Sequence, residues 1–172
     1  MIVPFGGHSQ QWEGKNLVSF RTGFIASCFD PFPHPGIIKA MEEAMFSEKL
    51  DGFIVALHSD PSIERPEKSR PYMTLREREI MVKAIKYVWY VEAYNTEEDL
   101  LQLLVETKPD VRVLGDDYKD KSSFTGSELD IPIYYSRRYD GWSGTDFRKR
   151  IQGGIFVDAQ ASRATKEPDP AD

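Results

Sequence analysis

The sequence is poor in cysteine and in long apolar runs, and each shortage excludes a class of protein. The single cysteine, Cys28, cannot form an internal disulfide, which favours a reducing compartment over a disulfide-rich secreted protein. No stretch is apolar for long enough to span a bilayer. The first residues also lack the basic start and apolar centre of a secretory signal. We therefore expect a cytoplasmic protein with no membrane partner.

Positive charge is scarce relative to negative charge, because the formal net charge is −6. A protein with a net negative charge repels a polyanion over most of its surface, so we expect no nucleic-acid partner. The remaining composition is that of an ordinary globular protein, with 40% hydrophobic and 29% charged residues over 172 positions. This length predicts one domain that is large enough to bury a core.

Short apolar runs alternate along the chain with amphipathic helical patterns. The apolar runs predict five strands, at 23–27, 52–58, 88–93, 111–115 and 131–135. Capping residues predict helix starts at Thr74, Thr96 and Ser143, and Glu77 completes a capping box with Thr74. A further helix is predicted over 36–49. The alternation predicts an α/β fold, a single Rossmann-like domain whose five-stranded, mostly parallel sheet carries helices on both faces.

The ends of the chain differ in composition from its centre. We expect residues 1–19 to form an N-terminal extension and residues 20–152 to form the domain. The polar residues 153–172 predict a disordered C-terminal tail. Within the second predicted helix, the apolar positions Leu75, Ile80, Met81 and Ala84 are expected to face inward.

Polar segments follow the predicted strands, and in a parallel sheet these segments meet at the carboxyl edge. The first places His34 and Gly36 at a helix start, where free N–H groups attract anions. The segments after the second and fifth strands carry the cationic residues Lys68, Arg70, Arg137 and Arg138. Cations gathered at one edge of an acidic protein suggest a polyphosphate ligand. The acidic pair after the fourth strand, Asp116 and Asp117, could hold a base, a sugar hydroxyl or a magnesium ion.

Five segments occur in a fixed order between residues 23 and 152. Ser27-Cys28-Phe29-Asp30 leads to His34-Pro35-Gly36-Ile37, and Arg138-Tyr139-Asp140-Gly141-Trp142-Ser143-Gly144-Thr145 closes the series. Between them stand RPYMTLREREIMVKAIKYV and PDVRVLGDDYKDK. This order resembles the cytidylyltransferase-like nucleotidyltransferases, most closely the glycerol-3-phosphate cytidylyltransferases. That family has Gly-Thr-Phe-Asp, His-x-Gly-His and Arg-Thr-x-Gly-Ile-Ser-Thr-Thr at the corresponding places, with a middle helix and a nucleotide-side strand and turn.

The resemblance implies a reaction and a set of site residues. A small phosphorylated alcohol, similar to glycerol 3-phosphate, would receive CMP from CTP with release of pyrophosphate, and Mg²⁺ would accompany the CTP. The implied catalytic residues are His34, Arg78, Ser143 and Thr145. The implied nucleotide-binding residues are Cys28, Phe29, Gly36, Ile37, Asp116, Asp117, Arg138 and Gly141. Lys68 and Arg137 are expected to bind phosphate or the acceptor, and no side chain is assigned directly to a metal. A homodimer is expected because the family often forms one.

The likeness departs from the family pattern at the opening motif. Ser27 and Cys28 replace glycine and threonine, and Pro33 is an extra residue before His34. Ile37 stands where the family has its second histidine, and isoleucine cannot donate a hydrogen bond. In another register His34 is the second histidine, and the first is then missing.

These departures leave two alternatives to an active enzyme. Losing one donor to a transition-state oxyanion costs about 100- to 1,000-fold in rate. The chain could therefore be a nucleotide-binding or regulatory relative that has lost catalysis. The remaining alternative is a structural or assembly protein that reuses the fold.

Overall fold

In the computed structural model, residues 19–139 and 142–154 are described. The strands are β1 (Thr22–Ser27), β2 (Gly52–His58), β3 (Val88–Tyr94), β4 (Val111–Gly115) and β5 (Ile133–Ser136). The helices are α1 (Pro35–Ser47), α2 (Leu75–Lys83), α3 (Glu97–Thr107) and α4 (Gly144–Gln152), and a 3₁₀ turn covers Asp116–Tyr118. The predicted extension and tail lie almost wholly outside the described residues, so those two expectations stay predictions.

The five strands form one sheet in the order β3-β2-β1-β4-β5. Every neighbouring pair is parallel. Because β1 lies at the centre, the chain builds outward to β3 and then returns to the other side of β1 with β4. The predicted Rossmann-like α/β fold is confirmed. The crevice between β1 and β4 is a topological switch point, which is where open parallel sheets bind ligands.

Helices cover both faces of the sheet, as predicted. One core cluster joins α1 and α2 to the sheet and includes Met41, Ala44 and Val82. A second cluster lies on the opposite face and includes Leu100 and Leu104 of α3. Within the described residues, none of the helices has both the length and the apolar character needed to cross a membrane.

Local capping signals account for where the helices start. Thr74 and Glu77 form the predicted capping box, in which each side chain bonds the other residue's backbone N–H. Thr96 forms a second box with Asp99, and Ser143 caps α4 as predicted. These three helices therefore begin where short-range hydrogen bonding favours them.

The predicted inward face of α2 is wrong in three of its four places. Ile80, Met81 and Ala84 are exposed, whereas Arg78 and Val82 are buried. Hydrophobicity favoured Ile80 and Met81, but Arg78 is drawn inward by backbone carbonyl groups, described below. That contact rotates the helix so that Val82, one turn later, faces the sheet.

Candidate active site

The start of α1 carries His34 at the carboxyl edge of the sheet. His34 is the N-cap residue, and its Nδ1 accepts a hydrogen bond from the Ile37 N–H at 3.2 Å. Pro35 occupies the first helical turn. An N–H at that position would have no partner within the helix, so its absence in proline costs no hydrogen bond. His34 therefore serves the helix start as a cap, and which of the two family histidines it corresponds to stays a prediction.

The start of α4 meets the start of α1 at this histidine. A Cβ atom on Gly36 would lie 3.1 Å from the Trp142 carbonyl oxygen, and one on Gly144 would lie 3.5 Å from Cδ2 of His34. A side chain at either glycine would require a neighbouring backbone carbonyl, of Trp142 or of Asp30, to shift by a few tenths of an ångström, so the two helix starts are closely packed here. Two helix N-termini, both attractive to anions, converge on one imidazole.

The electrostatic environment keeps His34 neutral. Burial is the largest influence and lowers its pKa, and the charges of Arg138 and Arg148 act in the same direction. A hydrogen bond with the Trp142 backbone opposes them only in part. A neutral imidazole whose Nδ1 is an acceptor carries its proton on Nε2, so it presents one N–H donor.

The acidic turn after β4 holds Arg138 beside this histidine. Arg138 Nη2 lies 2.8 Å from Asp117 Oδ1, and Arg138 Nε lies 4.0 Å from Asp116 Oδ1. Burial opposes ionisation of Asp117, but the hydrogen bond and charge of Arg138 hold its pKa below the ordinary value. We call His34, Trp142, Gly144, Asp117 and Arg138 the helix-start cluster.

Asp30 ties the opening loop to two other segments. Its Oδ1 accepts hydrogen bonds from the N–H groups of Tyr72 and Met73, at 2.8 and 2.9 Å. Its Oδ2 lies 3.4 Å from Arg148 Nη1 of α4, which also donates to the Asp30 carbonyl. This buried carboxylate was quoted in the opening motif but was not predicted as a site residue, and it positions the loop, α4 and the start of α2 together.

Arg78 is buried and bonded to the protein backbone, whereas a phosphate-binding residue needs donors that are open to a ligand. The side chain is 1% exposed. Its guanidinium donates to the backbone carbonyl groups of Cys28, His58, Ser59 and Met73 at 2.5–3.2 Å. These contacts join the carboxyl ends of β1 and β2 to the start of α2, which is a positioning role. The catalytic role implied by the resemblance stays a prediction.

The other predicted residues divide between the core and the surface. Phe29 is buried in the core at a left-handed backbone position with φ of 52°, and Ile37 packs against the same core. Thr145 is exposed in the first turn of α4. Arg137 points to α1, where its Nη2 lies 3.2 Å from Glu43 Oε1. Gly141 lies outside the described residues.

A cavity of about 470 Å³ opens beyond the carboxyl ends of β1, β2 and β4. Predicted residues Cys28 and Lys68 line it. Five of its lining side chains are cationic and one is anionic: Arg65, Lys68, Arg112, Lys121 and Arg148, with Glu97. Burial raises the pKa of the Cys28 thiol, and the nearby Arg78 charge offsets this only in part. A basic cavity of this kind suits an anionic small molecule.

Several buried polar atoms that line the cavity have no hydrogen-bond partner among the described residues. They are Nδ1 and Nε2 of His58, Nε of Arg65 and Nε of Arg112. These three residues were not predicted from the sequence as part of a site. His58 and Arg112 lie within strands, so they were interpreted as ordinary sheet residues. For His58 and Arg112 the one available signal was a polar residue inside an otherwise apolar strand run, which marks a special environment.

Comparison with known proteins identifies the family and supports the fold. Residues 24–150 match the family model described as cytidylyltransferase-like. In structure, the chain is similar to a lipopolysaccharide core biosynthesis protein from Thermoplasma volcanium GSS1. The TM-score is 0.58 at 22% sequence identity, over 71% of this chain and all of that one. At this identity the likeness supports the fold alone.

Similar curated proteins are each named Bifunctional protein HldE. That of Campylobacter jejuni strain RM1221 is 40% identical over 131 residues, or 75% of this chain. That of Rhodopseudomonas palustris strain BisA53 is 36% identical over 122 residues, or 68% of this chain. The chain spans only about a quarter of the length of these relatives, 27% and 24%. The match of the family model over most of the chain nonetheless shows that it belongs to the cytidylyltransferase-like nucleotidyltransferases.

Proposed function

We propose that the chain transfers CMP from CTP to a small phosphorylated alcohol, similar to glycerol 3-phosphate, and releases pyrophosphate. The observation that carries this proposal is the convergence of two helix N-termini on His34, beside Arg138. Free N–H groups, helix dipoles and a guanidinium are the groups that bind a polyphosphate. Their position at the switch point of the sheet is where such a ligand belongs.

The two substrates would occupy neighbouring sites. The triphosphate would lie on the helix-start cluster, with the nucleoside toward Asp116 and Asp117. The phosphorylated acceptor would enter the basic cavity, where Lys68 is one of the cations. Cys28 lines this cavity from the end of β1, immediately ahead of the loop that leads to His34. That adjacency would bring an acceptor phosphate toward the α-phosphate of the nucleotide.

The reaction requires placement and charge neutralisation more than covalent help. An oxygen of the acceptor phosphate attacks the α-phosphorus of CTP and forms a new P–O bond. The bond from that phosphorus to the bridging β-phosphate oxygen breaks, and pyrophosphate carries away the electron pair. The His34 N–H, the first-turn amides of α4 and Arg138 would stabilise the charge that develops at phosphorus.

Magnesium would arrive with the nucleotide and would shield the charge of the leaving pyrophosphate. The nearby carboxylates, Asp116 and Asp117, are oxygen donors of the kind that Mg²⁺ accepts. Asp117 is tightly paired with Arg138, at 2.8 Å, whereas Asp116 is only loosely paired, at 4.0 Å. Asp116 is therefore the residue that could reach a metal-bound water.

A catalytically impaired nucleotide-binding or regulatory relative is the second candidate, and one observation favours it. Ile37 packs against the core, so the position of the second family histidine contributes no donor to the site. Such a protein would bind the nucleotide at the helix-start cluster and would release little or no pyrophosphate.

The two candidates separate in one pair of measurements. Calorimetry with CTP, ATP, GTP and UTP in magnesium would identify the nucleotide, and we expect CTP to bind most tightly. A pyrophosphate-release assay with glycerol 3-phosphate would then detect transfer. Turnover supports the enzyme, while CTP binding without turnover for any phosphorylated alcohol supports the regulatory relative. Absence of nucleotide binding would contradict both. The cytoplasmic location suggested by the single cysteine and the homodimer remain part of this proposal.

A further inference from the structure

Three side chains beside the cavity are arranged as a small ligand set. They are His58 at the end of β2, Glu64 in the segment that follows, and Glu97 at the start of α3. One imidazole nitrogen and one oxygen of each carboxylate all lie within 4.8 Å of one another. The three residues are separated by up to 39 positions in sequence, so the fold alone brings them together.

His58 lacks the partner that a buried histidine normally has. The side chain is 1% exposed, and neither ring nitrogen has a hydrogen-bond partner among the described residues. Its one close ring neighbour is Tyr94, with centroids 4.5 Å apart, which satisfies neither nitrogen. Leaving a buried polar group unpaired costs about 1–3 kcal/mol. The imidazole is thus directed toward two carboxylates that it does not bond.

The spacing of these three ligand atoms is close to the spacing found around a bound metal ion. A divalent transition metal lies about 2.0–2.2 Å from nitrogen and carboxylate ligands, so three such ligand atoms around one ion are about 3.4–3.6 Å from one another. Ligand atoms within 4.8 Å of one another need to close by less than about 1 Å each to reach this arrangement.

The two carboxylates already have the outer partners that metal ligands usually have. Glu97 Oε1 lies 3.2 Å from Arg65 Nη2, and Glu97 Oε2 accepts a hydrogen bond from the Thr125 hydroxyl. Glu64 Oε2 accepts one from the Glu97 N–H at 3.0 Å. Each bonded oxygen keeps a second lone pair, and outer hydrogen bonds of this kind fix ligand orientation. Although the wider cavity is basic, three carboxylates act on His58, those of Glu97, Glu64 and Asp60, against one cation, Arg65, so the cluster itself favours a cation.

We propose that His58, Glu64 and Glu97 form a site for a divalent transition-metal ion, separate from the Mg²⁺ that accompanies the nucleotide. The ligand set combines one imidazole with two carboxylates, which suits Zn²⁺ or Mn²⁺ better than Mg²⁺ or Ca²⁺. A bound ion would fasten the segment that carries Lys68 to β2 and α3. This proposal is independent of the proposed transfer reaction, since it concerns binding of a metal by the free protein.

Titration calorimetry of the full chain with ZnCl₂ and with MnCl₂, after removal of metals and without nucleotide, tests the proposal. We expect one equivalent to bind saturably and the melting temperature to rise with either ion. Binding of Mn²⁺ should also diminish the six-line electron paramagnetic resonance signal of the free ion. Absence of saturable binding of both ions would overturn the proposal.

Three variants locate the site. His58→Gln, Glu97→Gln and Glu64→Gln should each weaken the affinity at least about 10-fold, the lower end of what loss of a supporting group costs a metal site. Glu64 is exposed, so its variant should fold even if a change at the buried His58 does not. Glu98→Gln removes an exposed carboxylate next to Glu97 and is the matched control. Equal affinity in Glu64→Gln and Glu97→Gln would place the ion elsewhere and overturn the assignment.

Discussion

The helix-start cluster and the basic cavity lie at the same edge of the sheet but differ in how their polar groups are satisfied. In the helix-start cluster, His34 caps its own helix and Arg138 pairs with Asp117. Around the cavity, His58, Arg65 and Arg112 have buried nitrogen atoms without a partner among the described residues. The side chains of the first region are therefore paired within the protein, and a ligand there would bind the free N–H groups of the helix starts, whereas the second region has side-chain atoms that a ligand could satisfy. Motifs identify the first region, and unpaired buried atoms identify the second.

Both regions depend on Arg78, and its removal should have the largest effect. Arg78→Ala leaves four backbone carbonyl groups without their donor, so we expect the free energy of unfolding to fall by about 3 kcal/mol or more. Urea denaturation measures this change. Arg76→Ala, on the exposed side of the same helix, should change stability far less. Unchanged stability with lost turnover would instead give Arg78 the catalytic role that the resemblance implies.

Arg138→Ala tests the helix-start cluster alone. We expect the dissociation constant for CTP to rise about 10-fold or more, because a charged donor to the triphosphate is lost. Calorimetry in magnesium measures this constant. Lys149→Ala removes the same charge from an exposed site on α4 and should have little effect. An unchanged constant in Arg138→Ala would contradict the assignment of this arginine to the nucleotide.

Acid should destabilise both regions through their histidines. Burial lowers the pKa of His34 and of His58, so the unfolded chain binds protons more readily than the native one. The free energy of unfolding should therefore fall as the pH drops below the ordinary histidine pKa of about 6.5, by at most about 1.4 kcal/mol per pH unit for each imidazole. Urea denaturation between pH 5 and 8 measures this slope.

Single variants measure how much each histidine contributes to this dependence of the free energy of unfolding on pH. His34→Gln and His58→Gln should each make the pH dependence shallower in this range. The carboxylates with lowered pKa, such as Asp117, lose their contribution only at more acidic pH, below the ordinary carboxyl range. A slope that neither variant changes would contradict the assignment to these histidines.

The smallest expected effect concerns the thiol at the cavity wall. Burial raises the pKa of Cys28, so the reactive thiolate is scarce in the native protein. Iodoacetamide at pH 8 should alkylate it more slowly in the native protein than in urea, as mass spectrometry would show. Equal rates in the two states would mean that the cavity wall is open at this position. An acceptor bound in the cavity should slow the native rate further.

The fold was predictable because its signals are local. Thr74 with Glu77, Thr96 and Ser143 each start a helix through bonds to residues three positions away, and apolar runs mark the strands. The inward face of α2 was not predictable, because Arg78 turns inward to meet carbonyl groups from 5 to 50 positions away. Hydrophobicity carries no information about such partners.

The candidate site divides in the same way. His34, Asp117, Arg138 and Ser143 belong to short motifs whose order is visible in the sequence. His58 and Arg112 acquire their significance only when β2, β4 and α3 are brought together. Asp30 was visible within a motif, but its bonds to Tyr72, Met73 and Arg148 link segments that are far apart in the chain. Those links are set by packing and have no local signal.

The contacts of Arg78 have a consequence for how this site could change during evolution or engineering. The carbonyl groups of Cys28, His58 and Ser59 that it binds belong to the main chain, which every amino acid supplies. Side chains at these three positions can therefore be exchanged while the hydrogen bonds that fix the strand ends remain. Two of these positions, 28 and 58, line the cavity. Libraries randomised there should retain folded members and alter which small molecule is accepted.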